Sequence, residues 1–324
     1  MVKKTFGAIG AVVAGLVLLE NSLSAQEKYP SRPVTMVIPA PPGGGTDSVG
    51  RALGELVEPI LGQKVVIENK PGAGGTLGVT LLTQAPPDGY YLEAAYNGPL
   101  TALPHTLSVS YTLDSYIPII QFGETGYVFC TKSDFPAKDA NGVIAHLKAN
   151  PGKFTYAVDG IGNTVHLGAE ILFQKFDVKA RPVPFNGSSE QVRAVLGGHV
   201  DIFTGSSGSV LPHIKAGTLK CPFVTTTHRN TAIPDALSLT ELGVSDYQAV
   251  LWWGLIAPKG TPADRVAILE QAFRKAMESP KYKAVLASLG GTSEGRGSKE
   301  FAAAIKTEYD LNGSVVKRLG IQPN

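Results

Sequence analysis

The chain has 324 residues, 43% hydrophobic and 17% charged, a balance that supplies a sizeable core and excludes a disordered chain. A formal net charge of +2 excludes a strongly basic or acidic protein, so neither a nucleic acid nor a polybasic membrane contact is expected as partner. With 37 glycines and 23 prolines the sequence suits short elements joined by tight turns, and its length accommodates about two domains.

Lys3 and Lys4 precede an apolar stretch from Phe6 to Leu19, and Asn21 to Ala25 supplies small residues for cleavage near Ala25. This is the pattern of a secretory signal peptide, and the stretch is shorter than the roughly 20 residues that span a bilayer. The mature chain is therefore expected to be soluble and exported.

Strand-like runs then alternate with helical patterns, the mark of an α/β fold with largely parallel sheet. The run Val34 to Ile38 leads into Pro39-Ala-Pro-Pro-Gly-Gly-Gly-Thr-Asp47, with the Thr-Asp pair read as the N-cap of a helix from Ser48 to Leu61 that stops at Gly62. A glycine loop opening a helix lets backbone N–H groups and the helix dipole stabilise an anion without a cationic side chain. Val65 to Glu68 is the next strand, Pro71 to Gly75 a second glycine loop opening a helix through Leu82, and Tyr90 to Ala95 a third strand.

A second series begins with a strand from Tyr127 to Thr131, a helix from Ala140 to Ala149 and a strand from Thr155 to Val158. Asp159-Gly-Ile-Gly-Asn-Thr164 opens a helix with Leu167, Ile171 and Leu172 on its buried side. A helix from Ser188 to Leu196 and a strand from Val200 to Phe203 follow, and Gly205 to Ser209 leads into a short helix ending at Gly217. The aromatic strand Leu251 to Ile256, a long helix after Pro262 and a final helix from Ser298 to about Leu319 complete the chain. Val266, Leu269, Phe273 and Met277 recur at helical spacing and read as core. Cys130 and Cys221 are the only cysteines, both in apolar runs; a disulfide is open to an exported protein, but two buried thiols packed as small hydrophobes is the preferred reading.

No catalytic constellation is visible. There is no G-x-S-x-G elbow and no G-x-x-x-x-G-K-[ST] phosphate loop, and Gly72 to Gly78 misses the dinucleotide fingerprint by one residue. No clustered His or Cys spacing points to a metal, so neither metal nor cofactor is expected. Asp47, His166 and Asp201 are the acid/base candidates of the alternative reading, an exported enzyme acting on a carboxylated substrate. His166 reads better as a structural hydrogen-bonding residue, and Asp201 as a cap at its strand end. What recurs is a strand ending in a loop rich in Gly, Thr, Ser or Asn that opens a helix: at Gly43 to Asp47, Gly160 to Thr164, Asn186 to Ser189 and Gly205 to Ser209. In open α/β sheets such loops gather at the carboxyl ends of strands, where they converge on one ligand.

Tyr29-Pro-Ser-Arg-Pro33, the Pro-Gly-Gly-Gly-Thr-Asp47 loop, Glu-Asn-Lys-Pro-Gly-Ala-Gly-Gly75 and Pro-Pro-Asp-Gly-Tyr90 are followed by Ala-Asn-Pro-Gly-Lys153, Gly-Gly-His-Val-Asp201, Leu-Pro-His-Ile-Lys-Ala-Gly217 and Ala-Pro-Lys-Gly-Thr-Pro262. In this order the chain resembles the extracytoplasmic substrate-binding proteins of tripartite tricarboxylate transporters, the Bug family. The resemblance implies a two-lobed periplasmic-binding-protein fold, type II-like, each lobe a mixed, mostly parallel sheet flanked by helices with the ligand cleft between. Lobe 1 is expected at residues 26–125 plus 248–324 and lobe 2 at 126–247. A small carboxylate is the implied ligand and the permease subunits of the transporter the implied partners; a membrane signalling partner is the further alternative.

Carried over residue by residue, the carboxylate is held by the loop Ala40 to Asp47 and the facing loop Gly160 to Thr164. The candidate ligand-binding residues are Ala40, Gly44, Gly45, Thr46 and Asp47 in the first loop, Tyr96 and Asn97 after the third strand, and Gly162, Asn163 and Thr164 in the facing loop. Asn186, Ser206, Ser207 and Trp253 complete the set. Because Asp47 would repel an anion, it is expected to accept from a backbone N–H or a water while Thr46 and the glycine amides face the ligand. Family members often carry Phe at Ala40 and Phe-Asp-Asn at Thr204-Gly-Ser206. Loss of that bulk and of that carboxylate predicts a ligand larger than aspartate or glutamate and lacking an amine, such as an aromatic mono- or dicarboxylate of the terephthalate type, with an aliphatic dicarboxylate as competitor.

Overall fold

The computed structural model describes residues 28–323 apart from Asn186 and Glu294; the proposed signal peptide and Asn186 lie outside the described residues. The first unit runs β1 (Val34–Ile38), α1 (Gly45–Leu61), β2 (Val65–Asn69), α2 (Thr76–Gln84) and β3 (Tyr91–Tyr96). The 17-residue β4 (Tyr116–Lys132) follows, then α3 (Ala140–Lys148), β5 (Thr155–Val158), α4 (Thr164–Lys175), β6 (Arg181–Pro184), α5 (Ser188–Leu196) and β7 (Ile202–Ser206). Next come α6 (Leu211–Lys215), β8 (Leu219–Val224), β9 (Val250–Pro258), α7 (Ala263–Met277), α8 (Pro280–Ser288), β10 (Gly291–Thr292) and α9 (Ser298–Leu319).

The strands form one sheet in the order β2-β1-β3-β9-β4-β7-β5-β6, with β8 and β10 added along β4. β1 is parallel to β2 and β3, and β5 is parallel to β6 and β7, whereas β9 and β4 run antiparallel to their neighbours. β4 is the element that spans the molecule: Tyr116 to Gly126 pair with β9, and Tyr127 to Thr131 with β7. Its first half packs in a core with Met36, Leu53, Phe122, Trp253 and Phe273, and its second half borders cores built on Phe129, Tyr156 and Phe173 and on Val128, Ala157 and Phe203.

α1 lies close on the sheet because Gly50 and Gly54 face it. A Cβ there would stand 2.8 Å from Ile38 Cδ1 and 2.8 Å from Ile67 Cδ1, so any side chain would lift the helix off β1 and β2. The helix also begins earlier than the sequence pattern predicts. Gly44 is its N-cap and makes no side-chain cap bond, which puts Thr46 and Asp47 inside the first turn.

The cysteines correct the other expectation. Cys130 and Cys221 are joined in a disulfide, with Cα atoms 3.9 Å apart. Antiparallel pairing of β8 against β4 brings the two runs side by side, a long-range consequence of topology that local hydrophobicity does not reveal.

Candidate functional site

A cleft of about 670 Å³ opens where β1, β3, β5 and β7 end and β9 begins, within the range of small-molecule sites. The first turns of three helices border it: Gly44 to Thr46 of α1, Thr164 and Val165 of α4, and Ser188 and Ser189 of α5. Each helix start leaves N–H groups without intrahelical partners and a partial positive charge. Among the described residues lining the cleft there is no Lys, Arg or His, and Asp159 is the sole carboxyl. Any anion held here is therefore held by neutral donors, those of the backbone, the hydroxyls and the Gln191 amide.

The glycine loop is shaped from below by Asp47. Its Oδ2 accepts from Gly43 N–H at 2.9 Å, Arg51 Nε approaches both oxygens at 2.9 and 3.0 Å, and Asn69 Nδ2 donates to Oδ1 at 2.8 Å. Asn69 Nδ2 also donates to the Ala40 carbonyl at 2.9 Å, which pins the loop to the end of β2. Burial raises the Asp47 pKa, but the bonds from Arg51, Asn69 and Gly43 outweigh it and hold the group below the usual carboxylate range. The charge of Asp47 is thus spent within the loop, where 4% of the residue is exposed. Above it, Thr46 Oγ1 accepts from the Trp253 indole N–H at 3.0 Å, so the edge of the cleft is fixed to β9.

On the opposite wall, Asn163 caps α4 by accepting from Thr164 N–H at 2.8 Å, and Thr164 Oγ1 lies 3.1 Å from the Tyr127 hydroxyl. Gly162 N–H donates to His166 Nδ1 at 3.0 Å, and burial lowers the His166 pKa to about 4, so the ring is neutral and serves as a loop acceptor. Asp201 accepts from Thr155 N–H and Oγ1, both at 2.8 Å, and likewise holds a strand end.

Of the residues singled out from sequence, Ala40, Gly44, Gly45 and Thr46 lie along the cleft, as do Tyr96, Thr164, Ser206 and Trp253. Asn186 lies outside the described residues, and Asp47, Asn97, Gly162, Asn163 and Ser207 do not line the cleft. Asp47 and Asn163 are turned into their own loops, and Gly162 packs against Thr106. Asn97 is fully buried and donates to Val250 O at 2.7 Å and Glu308 Oε1 at 3.0 Å. Ser207, also fully buried, donates to Leu289 O at 2.9 Å. Trp252 faces a second cavity of about 440 Å³ bordered by Glu124, Asp246, Glu308 and Arg296. Three carboxyls there repel an anion, which separates it from the cleft.

Sequence reading missed Tyr127, Gln191 and above all Asp159, all on the cleft wall. Asp159 directly follows β5, the position where open α/β sheets place ligand contacts, and that signal was available. Burial pushes its pKa up to about 6. Among the described residues no group of three or more His, Cys, Asp or Glu is placed to hold a metal ion, and no helix is long and apolar enough to cross a membrane.

Residues 49–321 match the family described as the tripartite tricarboxylate transporter family receptor. The chain is 30% identical to protein BugT of Bordetella pertussis over 286 residues, 86% of this chain and 88% of BugT. Among solved structures it is similar to the periplasmic binding protein BugD, with 30% identity, a TM-score of 0.77, and coverage of 91% of this chain and 100% of BugD. It is likewise similar to MatC of Rhodopseudomonas palustris with bound malate, with 28% identity, a TM-score of 0.76, and coverage of 89% of this chain and 100% of MatC. The two-lobed α/β architecture of periplasmic binding proteins is therefore the fold of this chain.

Proposed function

Because the chain belongs to the tripartite tricarboxylate transporter receptor family, we propose that it is exported to the periplasm, binds a small organic carboxylate in the 670 Å³ cleft and delivers it to the permease subunits of such a transporter. The observation that carries this reading is the meeting of three helix N-termini, those of α1, α4 and α5, on a cleft with no cationic side chain among the described residues. In this reading the contacts to the carboxylate come from the Gly44 to Thr46 backbone, the Thr46 and Thr164 hydroxyls and Ser206, while Tyr96 and Trp253 form flat walls. Asp47, Gly162 and Asn163 act one step back, by shaping the loops.

Lobe 1 comprises residues 26–125 plus 248–324 and lobe 2 residues 126–247. Supporting these bounds, β4 passes between cores at Gly126 and the chain returns to the first core where β9 begins at Val250. Closure of the two over a ligand needs only that the closed state bind more tightly.

The small residues Ala40 and Ser206 both line the cleft, which suits an aromatic mono- or dicarboxylate of the terephthalate type. The malate held by MatC supports the aliphatic dicarboxylate alternative. Calorimetric titration of the purified protein with both sets tests the proposal. Stoichiometric binding without turnover is the expected outcome; hydrolysis or other conversion of a carboxylate, or silence towards every carboxylate, refutes it.

A further inference from the structure

Asp159 is a carboxyl on the wall of a cleft built for an anion, and the cleft does little to neutralise it. It stands at the carboxyl end of β5, four residues before the N-cap of α4, and lines the same cavity as Thr46, Tyr96 and Trp253. Asn163 Nδ2 donates to Oδ2 at 3.2 Å, and Oδ1 is buried without a hydrogen-bond partner among the described residues. The charged or titratable groups that face it are phenols, Tyr96 from β3 and Tyr127 from β4, whose pKa values its charge helps to raise. Neither is bonded to it: the Tyr96 hydroxyl donates to Gly74 O at 2.5 Å, and the Tyr127 hydroxyl pairs with Thr164. A half-buried carboxylate whose donors are one Asn163 amide and its own backbone N–H is under-compensated, and a bare dicarboxylate in the cleft would add like charge to it.

We propose that the natural ligand is a carboxylate that also carries a hydrogen-bond donor, a hydroxyl or an ammonium group, and that Asp159 accepts from that donor and sets the specificity of the site. The inference rests on the carboxylate-receptor reading. The helix N-termini take the ligand carboxylate and Asp159 takes the donor, so the two ends of the ligand are told apart by charge. The expectation of a ligand without an amine assumed that no carboxyl faced the pocket; Asp159 supplies one from the other wall. With burial raising its pKa to about 6, the group is mostly ionised at neutral pH and ready to accept.

The test is calorimetric titration of the purified protein at pH 7.5 with matched ligands that differ only in the donor: succinate against malate and aspartate, and terephthalate against its 2-hydroxy and 2-amino derivatives. Within the series that binds, the donor-bearing member is expected to bind roughly tenfold or more tightly than the bare acid, the difference typical of a hydrogen bond to a charged group. Asp159→Ala is expected to erase that preference while the bare acid binds as well as or better than to wild type; Asp159→Asn, of the same shape, controls for folding by its thermal melt. Equal affinity for both members, or a preference that survives Asp159→Ala, overturns the proposal. So does a bare acid that binds best and weakens as pH rises through about 6 in wild type but not in Asp159→Asn, because Asp159 then acts as a protonated donor. Failure of every acid in both series refutes the carboxylate reading itself, an outcome distinct from equal binding.

Discussion

The indole N–H of Trp253 donates to the hydroxyl of Thr46 at 3.0 Å, which ties the central strand β9 to the first turn of α1 at the rim of the cleft. Both residues are nearly or fully buried, so water has little access to replace the bond. Thr46→Val keeps the shape and removes the acceptor, leaving a buried indole donor unpaired at a cost of roughly 1–3 kcal/mol. The expected outcome is a lowered melting temperature together with carboxylate affinity weakened about tenfold, read by thermal unfolding and calorimetry on the same preparation. Unchanged affinity would mean that the Thr46 hydroxyl does not face the ligand.

Asp47 makes a different prediction, because its carboxylate serves the loop. With its pKa held below the ordinary carboxylate value, it contributes stability that is present above about pH 4 and is lost as pH falls through the depressed folded value. Asp47→Ala removes the acceptor of Gly43 N–H, Arg51 and Asn69, at a cost on the order of 1–3 kcal/mol. The loss should be visible in denaturant melts at pH 7 and shrink below pH 4. Equal destabilisation at pH 3 and pH 7 would show that packing, not charge, is what Asp47 supplies.

Glu93 in β3 is fully buried, and neither carboxyl oxygen has a hydrogen-bond partner among the described residues. Burial raises its pKa well above the usual range. The folded state therefore binds this proton more tightly than the unfolded chain, and the associated stability, full below about pH 4, is lost as pH rises towards the folded value. Glu93→Gln, which stays neutral, should remove that slope and raise stability at pH 8 by about 1 kcal/mol or more. Parallel pH–stability curves for wild type and variant would contradict it.

The sequence made the helices more legible than the sheet. α5 and α9 begin and end where apolar spacing and start signals put them. β4 was visible only from Tyr127 onward, because Pro118, Gly123 and Gly126 break the strand pattern, and only pairing with β9, with two register shifts, holds Tyr116 to Gly126 extended. β6 contains Pro182 and Pro184 and was invisible for the same reason; it survives as the sheet's edge, paired with β5 alone. The cleft-forming loops were legible because glycine and cap residues encode local turns. The roles within them were not: Asp159 and Asp47 are the same residue type in similar loops, and what distinguishes them is the supply of Arg51 and Asn69 side chains from α1 and β2 to one and of the Asn163 amide alone among side chains to the other.

The disulfide between Cys130 and Cys221 supplies the last prediction. It closes a sequence separation of 91 residues, and both cysteines are buried between β4 and β8. A loop of that length restricts the unfolded chain by roughly 4–5 kcal/mol in the chain-entropy description, the upper end of what one bridge contributes. Cys130→Ala/Cys221→Ala should therefore unfold at distinctly lower denaturant, while the cleft, whose lining includes neither cysteine, keeps its ligand affinity once folded. Chemical denaturation with and without reductant, followed by calorimetry on the reduced and folded protein, checks both halves. A variant as stable as wild type would show that the unfolded chain gains little freedom when the bridge is removed; a stable fold with lost affinity would show that β4 transmits strain to Tyr127 at the cleft wall.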